Sequence, residues 1–192
     1  MRRRNFALPI LAALPFSVFA RSVFARIKAA VSERSDKVFI VPAGEARFGV
    51  HYKMKGVTSN TLDLKISGND TDGELAVFEQ IGLTPNGGPP LHVHPNQDEW
   101  FYVVEGSYLF QVGADRYQIK AGDTIYLPRK VPHAFVQLSE KGKMIVSYLP
   151  AGKMEKFFAV TDSWTKPPTK EEMAKAFADH DMEVVGPPLQ IP

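Results

Sequence analysis

A chain of 192 residues has room for one domain with arms, or at most two very small ones, and its 44% apolar and 23% charged residues are the profile of an ordinary soluble globular protein. The formal net charge is +2, but residues 1–25 hold Arg2, Arg3, Arg4 and Arg21 and no acid, so residues 26–192 carry 19 basic against 21 acidic side chains. No basic stripe remains for nucleic acid, and a chain without cysteine has neither disulfides nor thiolate ligands.

The N-terminus reads as an export signal. Arg2, Arg3 and Arg4 form a positive start, Ala7 to Ala20 is apolar apart from Pro9, Pro15 and Ser17, and loose small-residue cleavage sites end at Ala20 and at Ala25. The run is too short for a transmembrane anchor, which needs about 20 apolar residues, so no stable anchor is expected once the signal is removed. Arg3-Arg4-Asn5-Phe6 also resembles the twin-arginine export motif, with Ala7 where leucine is usual. An exported, periplasmic or extracellular protein is expected on this reading, and a cytoplasmic one if residues 1–25 are not a signal. Residues 26–36 are charged and mixed, a linker or a short amphipathic helix.

From Lys37 the texture is that of β-structure. Val38–Val41 is a β-branched and aromatic run stopped by Pro42, and short runs then recur at 62–67, 75–81, 100–104, 108–112, 117–119, 124–127, 134–138 and 144–149. Turn residues such as Gly68-Asn69-Asp70, Glu105-Gly106 and Ala121-Gly122-Asp123 separate them. Many short strands at regular spacing predict an all-β sandwich or barrel over 37–152. Residues 153–192 form a C-terminal arm. Within it, Thr169-Lys170-Glu171-Glu172 is a capping-box pattern, with Met173 and Phe177 at i and i+4, and it predicts one helix running to about Asp179. The Met/Phe stripe is expected to pack on the barrel or on a second subunit.

Three of the five histidines stand in two short segments, Pro89 to Glu99 and Pro128 to His133. Alternate residues of a strand share a face, so His92 and His94 can reach one point inside a barrel. Glu99 has the wrong parity for a continuous strand. A turn at Pro95-Asn96 restores it and sends Phe101 and Val103 inward as well. His133 arrives from a distant strand. Three imidazoles and a carboxylate suit one divalent first-row transition metal per chain: Fe, Ni, Mn, Co, Zn or Cu. His51 and His180 lie outside these segments; a surface role is expected for the first and a favourable helix-end position for the second.

His92-Val93-His94, Glu99 and Gly106, followed by Gly122, Pro128 and His133, resemble the two motifs of the cupin superfamily. Asn86, Lys130 and Gln137 stand where those motifs have glycine, glycine and asparagine. The resemblance implies a cupin-type β-barrel or jelly roll (a double-stranded β-helix) with a short C-terminal helix, and a metal held by His92, His94, Glu99 and His133. The segment around Pro89-Pro90-Leu91-His92 is similar to the quercetin-dioxygenase-like branch. That likeness implies a metal-dependent dioxygenase on a small aromatic or enolic, flavonol-like compound, with Glu99 as both ligand and general base. Phe101, Val103, Tyr126, Phe135 and Gln137 are the pocket residues it suggests, with core packing the competing role. A non-redox isomerase and a non-catalytic small-molecule or metal-binding cupin remain open, because one fold hosts many chemistries. Cupins commonly pair through arms, which implies a homodimer.

Overall fold

A computed structural model describes residues 34–58 and 60–191; the expected signal at 1–25 lies outside them. Two antiparallel sheets enclose one core. The first holds six strands: β1 (His51–Lys53), β2 (Asn60–Ile66), β3 (Ala76–Gly82), β10 (Gly142–Leu149), β5 (Asp98–Glu105) and β8 (Thr124–Leu127), in that spatial order. The second holds β11 (Glu183–Pro188), β4 (Pro90–Val93), β9 (His133–Gln137), β6 (Ser107–Val112) and β7 (Asp115–Lys120). This is the all-β barrel expected from the sequence, and the alternation that predicted it is visible. On β5, Glu99, Phe101 and Val103 are buried while Tyr102 and Val104 are exposed. Their register partners on β10 are Tyr148, Val146 and Met144, each buried in turn. Leu62, Leu64, Phe78, Tyr108 and Phe110 fill the remaining interior.

Two helices follow the strands. Helix α2 (Lys170–Asp179) starts with the predicted capping box: Thr169 Oγ1 accepts from Glu172 N at 3.1 Å, and Glu172 Oε2 accepts from Thr169 N at 2.7 Å. Helix α1 (Met154–Ser163) was not anticipated. It has no side-chain cap, yet Met154, Phe157, Phe158 and Thr161 recur at the spacing of one buried helical face. Burial of that stripe, rather than local propensity, holds it. Beyond the helices the arm ends in β11, which pairs with β4 through Val184 and His92. It thereby flanks the strand that carries His92.

The run Val38–Val41 joins no sheet among the described residues. Its alternation is real, but Val38 and Ile40 are exposed, and Phe39 is held under the Arg47 guanidinium, 3.9 Å from the ring centroid. No described helix is long and apolar enough to cross a membrane.

Candidate metal centre

Pro89-Pro90 leads into β4, whose alternation turns His92 inward. The chain bends after His94, and β5 opens at Asp98, so Glu99 is its first inward position. On the other side of the site, β9 begins at His133 itself, the direct register partner of His92. The connecting loops are tied together: Lys130 N donates to His94 O at 2.9 Å, and Asp98 accepts from Arg129 N, Nε and Nη2 at 2.9, 3.1 and 2.5 Å.

These ties bring His92, His94, Glu99 and His133 together, all buried, with one potential ligand atom from each lying within 4.8 Å of the others. Donors sharing an ion at about 2.0–2.2 Å lie at most about 4.4 Å apart. The cluster therefore needs to contract by only a few tenths of an ångström to grip one.

The protonation of the rings follows from their partners. His92 Nδ1 lies 2.8 Å from Pro90 O, and His133 Nδ1 lies 3.0 Å from Val131 O. A carbonyl only accepts, so each Nδ1 carries the proton. His94 Nδ1 lies 2.7 Å from Gln97 Oε1. That oxygen is fixed in place because Gln97 Nε2 donates to Pro150 O at 2.6 Å and Ala151 O at 2.8 Å. In its neutral form each ring with the proton on Nδ1 leaves Nε2 free to ligate, the arrangement that metal-binding imidazoles adopt.

His133 Nε2 stands 2.9 Å from Glu99 Oε2, yet both atoms, and His94 Nε2, are buried without a hydrogen-bond partner. Two lone-pair-bearing atoms held that close repel unless a proton or a cation lies between them. A cation at the cluster's centre serves all four side chains at once, so the residues present fit a metal. Burial lowers His92 well below the usual imidazole range and lowers His94 too. Burial pushes the Glu99 carboxyl up, but when His133 donates its Nε2 proton to the carboxylate, that bond and the imidazole charges outweigh burial and lower it. Tyr148 faces Glu99 across β10 and β5, and burial, with the Glu99 charge, raises its hydroxyl well above the usual value.

Beside the cluster lies a cavity of about 40 Å³ bordered by His92, Glu99, His133, Phe101 and Phe135. Gln80 and Tyr148 line it as well, and Met154, Phe157, Phe158, Phe177 and Met182 close it from the C-terminal arm. Two of the sequence-nominated pocket residues thus line the cavity. Val103 is buried but is not part of its wall. Gln137 is also buried away from the cavity, packed where Cβ atoms on Gly82 or Gly142 would collide with it, and its amide donates to Ser139 O. These two glycines make room for the longer side chain where the family motif has asparagine. Tyr126 is a correction. It is 57% exposed, because on β8 it is Leu127 and, less completely, Ile125 that are buried, and the parity leaves Tyr126 outside.

The other departures from the motif are conformational. Asn86 and Lys130, standing where glycine was expected, both have left-handed backbones at φ +66 and +68. Sequence reasoning missed Gln97, Tyr148 and helix α1. The Met154/Phe157/Phe158/Thr161 spacing was the signal for the helix; nothing local marked the other two. His51 pairs at the surface with Asp63 at 2.7 Å, and His180 Nδ1 donates to Ala176 O at 2.7 Å at the end of α2.

Residues 80–148 match the family model described as a cupin domain. Over 43 residues, 22% of this chain and 34% of the relative, the sequence is 42% identical to the uncharacterized protein MJ1618 of Methanocaldococcus jannaschii. Over 86 residues, 44% of this chain and 25% of the relative, it is 29% identical to quercetin 2,3-dioxygenase of Bacillus subtilis. The chain therefore spans about a third and a quarter of the length of these two proteins. Among solved structures, an RmlC-like cupin from Shewanella frigidimarina superposes with a TM-score of 0.52 at 19% identity, covering 64% of this chain and 99% of that one. At that identity the likeness speaks for the fold.

Proposed function

We propose, from the premise that this chain carries a cupin domain over residues 80–148, that it is a metal-dependent dioxygenase acting on a small aromatic or enolic compound. One observation carries the reading: three imidazole nitrogens and a carboxylate converge, without other partners for most of their inward atoms, beside a largely apolar cavity that His92, Glu99 and His133 help to line. Partial identity to a quercetin 2,3-dioxygenase supports the choice of reaction.

A divalent transition ion bound by His92, His94, Glu99 and His133 supplies Lewis acidity toward a substrate oxygen and, if redox-active, an electron path to dioxygen. The chain's own residues do the rest. Glu99 is the one carboxylate on the cavity wall among the described residues, so it is the acceptor for a substrate hydroxyl proton. Phe101, Phe135 and Phe177 offer faces and edges to a planar substrate and keep water from the reacting atoms.

The cavity of about 40 Å³ has room for roughly three water-sized groups. A ring-sized substrate enters only as Phe157, Phe158 and Phe177 give way. That small volume favours a second reading, a site that holds an ion and a ligand of a few atoms without turnover. Oxygen uptake separates the two. The chain is loaded in turn with Fe, Ni, Mn or Co and offered flavonols and catechols in an electrode cell. Uptake with one ion and one substrate class is expected, and none with any pair would overturn the dioxygenase. The same proposal takes residues 1–25 as an export signal and the assembled protein as a homodimer, to be tested by cell fractionation and light scattering.

A further inference from the structure

Each of the three imidazoles that turn Nε2 to the site is held by its Nδ1–H, but not by the same kind of partner. For His92 and His133 the acceptor is a backbone carbonyl two residues earlier, Pro90 O and Val131 O. These bonds are local, and no side-chain substitution removes them. For His94 the acceptor is the Gln97 side chain, itself 8% exposed. An amide differs from a carbonyl in one respect that matters here: turned over, it presents N–H instead of oxygen. Facing the NH₂ group, His94 would have to accept at Nδ1 and carry its proton on Nε2, where it cannot bind a metal.

What prevents that turn lies 53 and 54 residues further along the chain. Gln97 Nε2 donates to Pro150 O and Ala151 O. These carbonyls belong to the short link from β10 to α1, and α1 supplies Met154, Phe157 and Phe158 to the cavity wall. The approach is close because the next residue is Gly152, at φ +56, where a Cβ would stand 2.7 Å from Gln97 Nε2. We propose that Gln97 is a positioning residue that makes the ligating tautomer of His94 depend on how the root of α1 is seated. The helix that closes the cavity and the imidazole that faces the metal are then linked through one amide. The purpose of this link rests on the metal reading above; the tautomer itself is a property of the metal-free protein.

The test uses the full chain. Imidazole ¹⁵N shifts of the metal-free protein report the His94 tautomer, and competition with a chromophoric chelator reports affinity for Zn²⁺. Wild type is expected to hold the proton on Nδ1. Gln97→Ala should give mixed tautomers and a loss of affinity of roughly 10–100-fold, the usual size for an outer partner of a ligating histidine. Gly152→Ala crowds the amide without touching His94 and should shift the tautomer in the same direction. Gly44→Ala is its control, since Gly44 is also left-handed at φ +78 but has nothing within 4 Å of the added Cβ. In Gln97→Glu either oxygen accepts from His94, so Gly152→Ala should lose its effect in that background. The inference is overturned if Gln97→Ala keeps the wild-type tautomer, or if Gly152→Ala behaves like Gly44→Ala. A wild type that binds no ion, with the tautomer still shifted in both Gln97→Ala and Gly152→Ala, would sink the metal reading and leave the link standing.

Discussion

His92 and His133 are direct register partners, and among the described residues theirs is the one register pair joining β4 to β9. Their rings meet edge to face at 4.6 Å between centroids. Ligands 41 positions apart in sequence are thus set opposite each other by backbone pairing, and His94 and Glu99 are added by the strand and turn that follow His92. Protein purified without chelators should hold about one divalent ion per chain by elemental analysis. His94→Ala should lower that content and weaken affinity by at least the 10–100-fold expected for an outer partner. A wild type devoid of metal, or a variant that matches it, would count against the site.

Lys130 adopts a left-handed backbone, which costs a residue with a Cβ about 1–2 kcal/mol. Lys130→Gly removes that cost, while the greater freedom of glycine in the unfolded chain takes back about 0.4–1 kcal/mol. The variant should be as stable as wild type or gain up to about 1.6 kcal/mol in urea unfolding. A clear loss would show that the lysine side chain contributes more than the strain costs.

Phe177 is almost fully buried, with its ring edge-on to His92 at 5.2 Å and to Phe157 at 4.8 Å. Phe177→Ala should cost about 3–5 kcal/mol of stability in denaturant unfolding, since it leaves a hole where α2 meets the barrel. A cost below about 1 kcal/mol would mean that α2 collapses into the space, or that it is not docked on the cavity in solution.

Arg47 Nη2 and Nε donate to Asp70 at 2.7 and 3.1 Å, and the guanidinium holds the Asp70 carboxyl below its usual 3.8. A carboxyl depressed on folding stabilises fully above that ordinary value, and the contribution fades as pH falls through the lower folded value. Arg47→Ala should therefore lower the denaturant midpoint at pH 7, with the gap to wild type closing as pH drops below 3.8. A gap that stays constant down to about pH 2.5 would assign the effect to lost stacking on Phe39 and Phe48 instead.

By itself the sequence determined whatever depends on near neighbours in the chain. Alternation located most of the strands, a three-residue spacing located the cap of α2, and the parity break at Pro95-Asn96 turned Glu99 inward. The ligand set was legible because strand geometry converts spacing into facing. Tertiary structure decided the rest. Tyr126 and Val38–Val41 carry apolar patterns that look like interior, but an alternation does not say which of its two phases meets the core. Gln97, Tyr148 and the aromatic face of α1 reach the site from elements whose closure no local pattern specifies. Their roles depend on burial against distant partners, a free energy that exists only once the two sheets have closed and the C-terminal arm has folded over them.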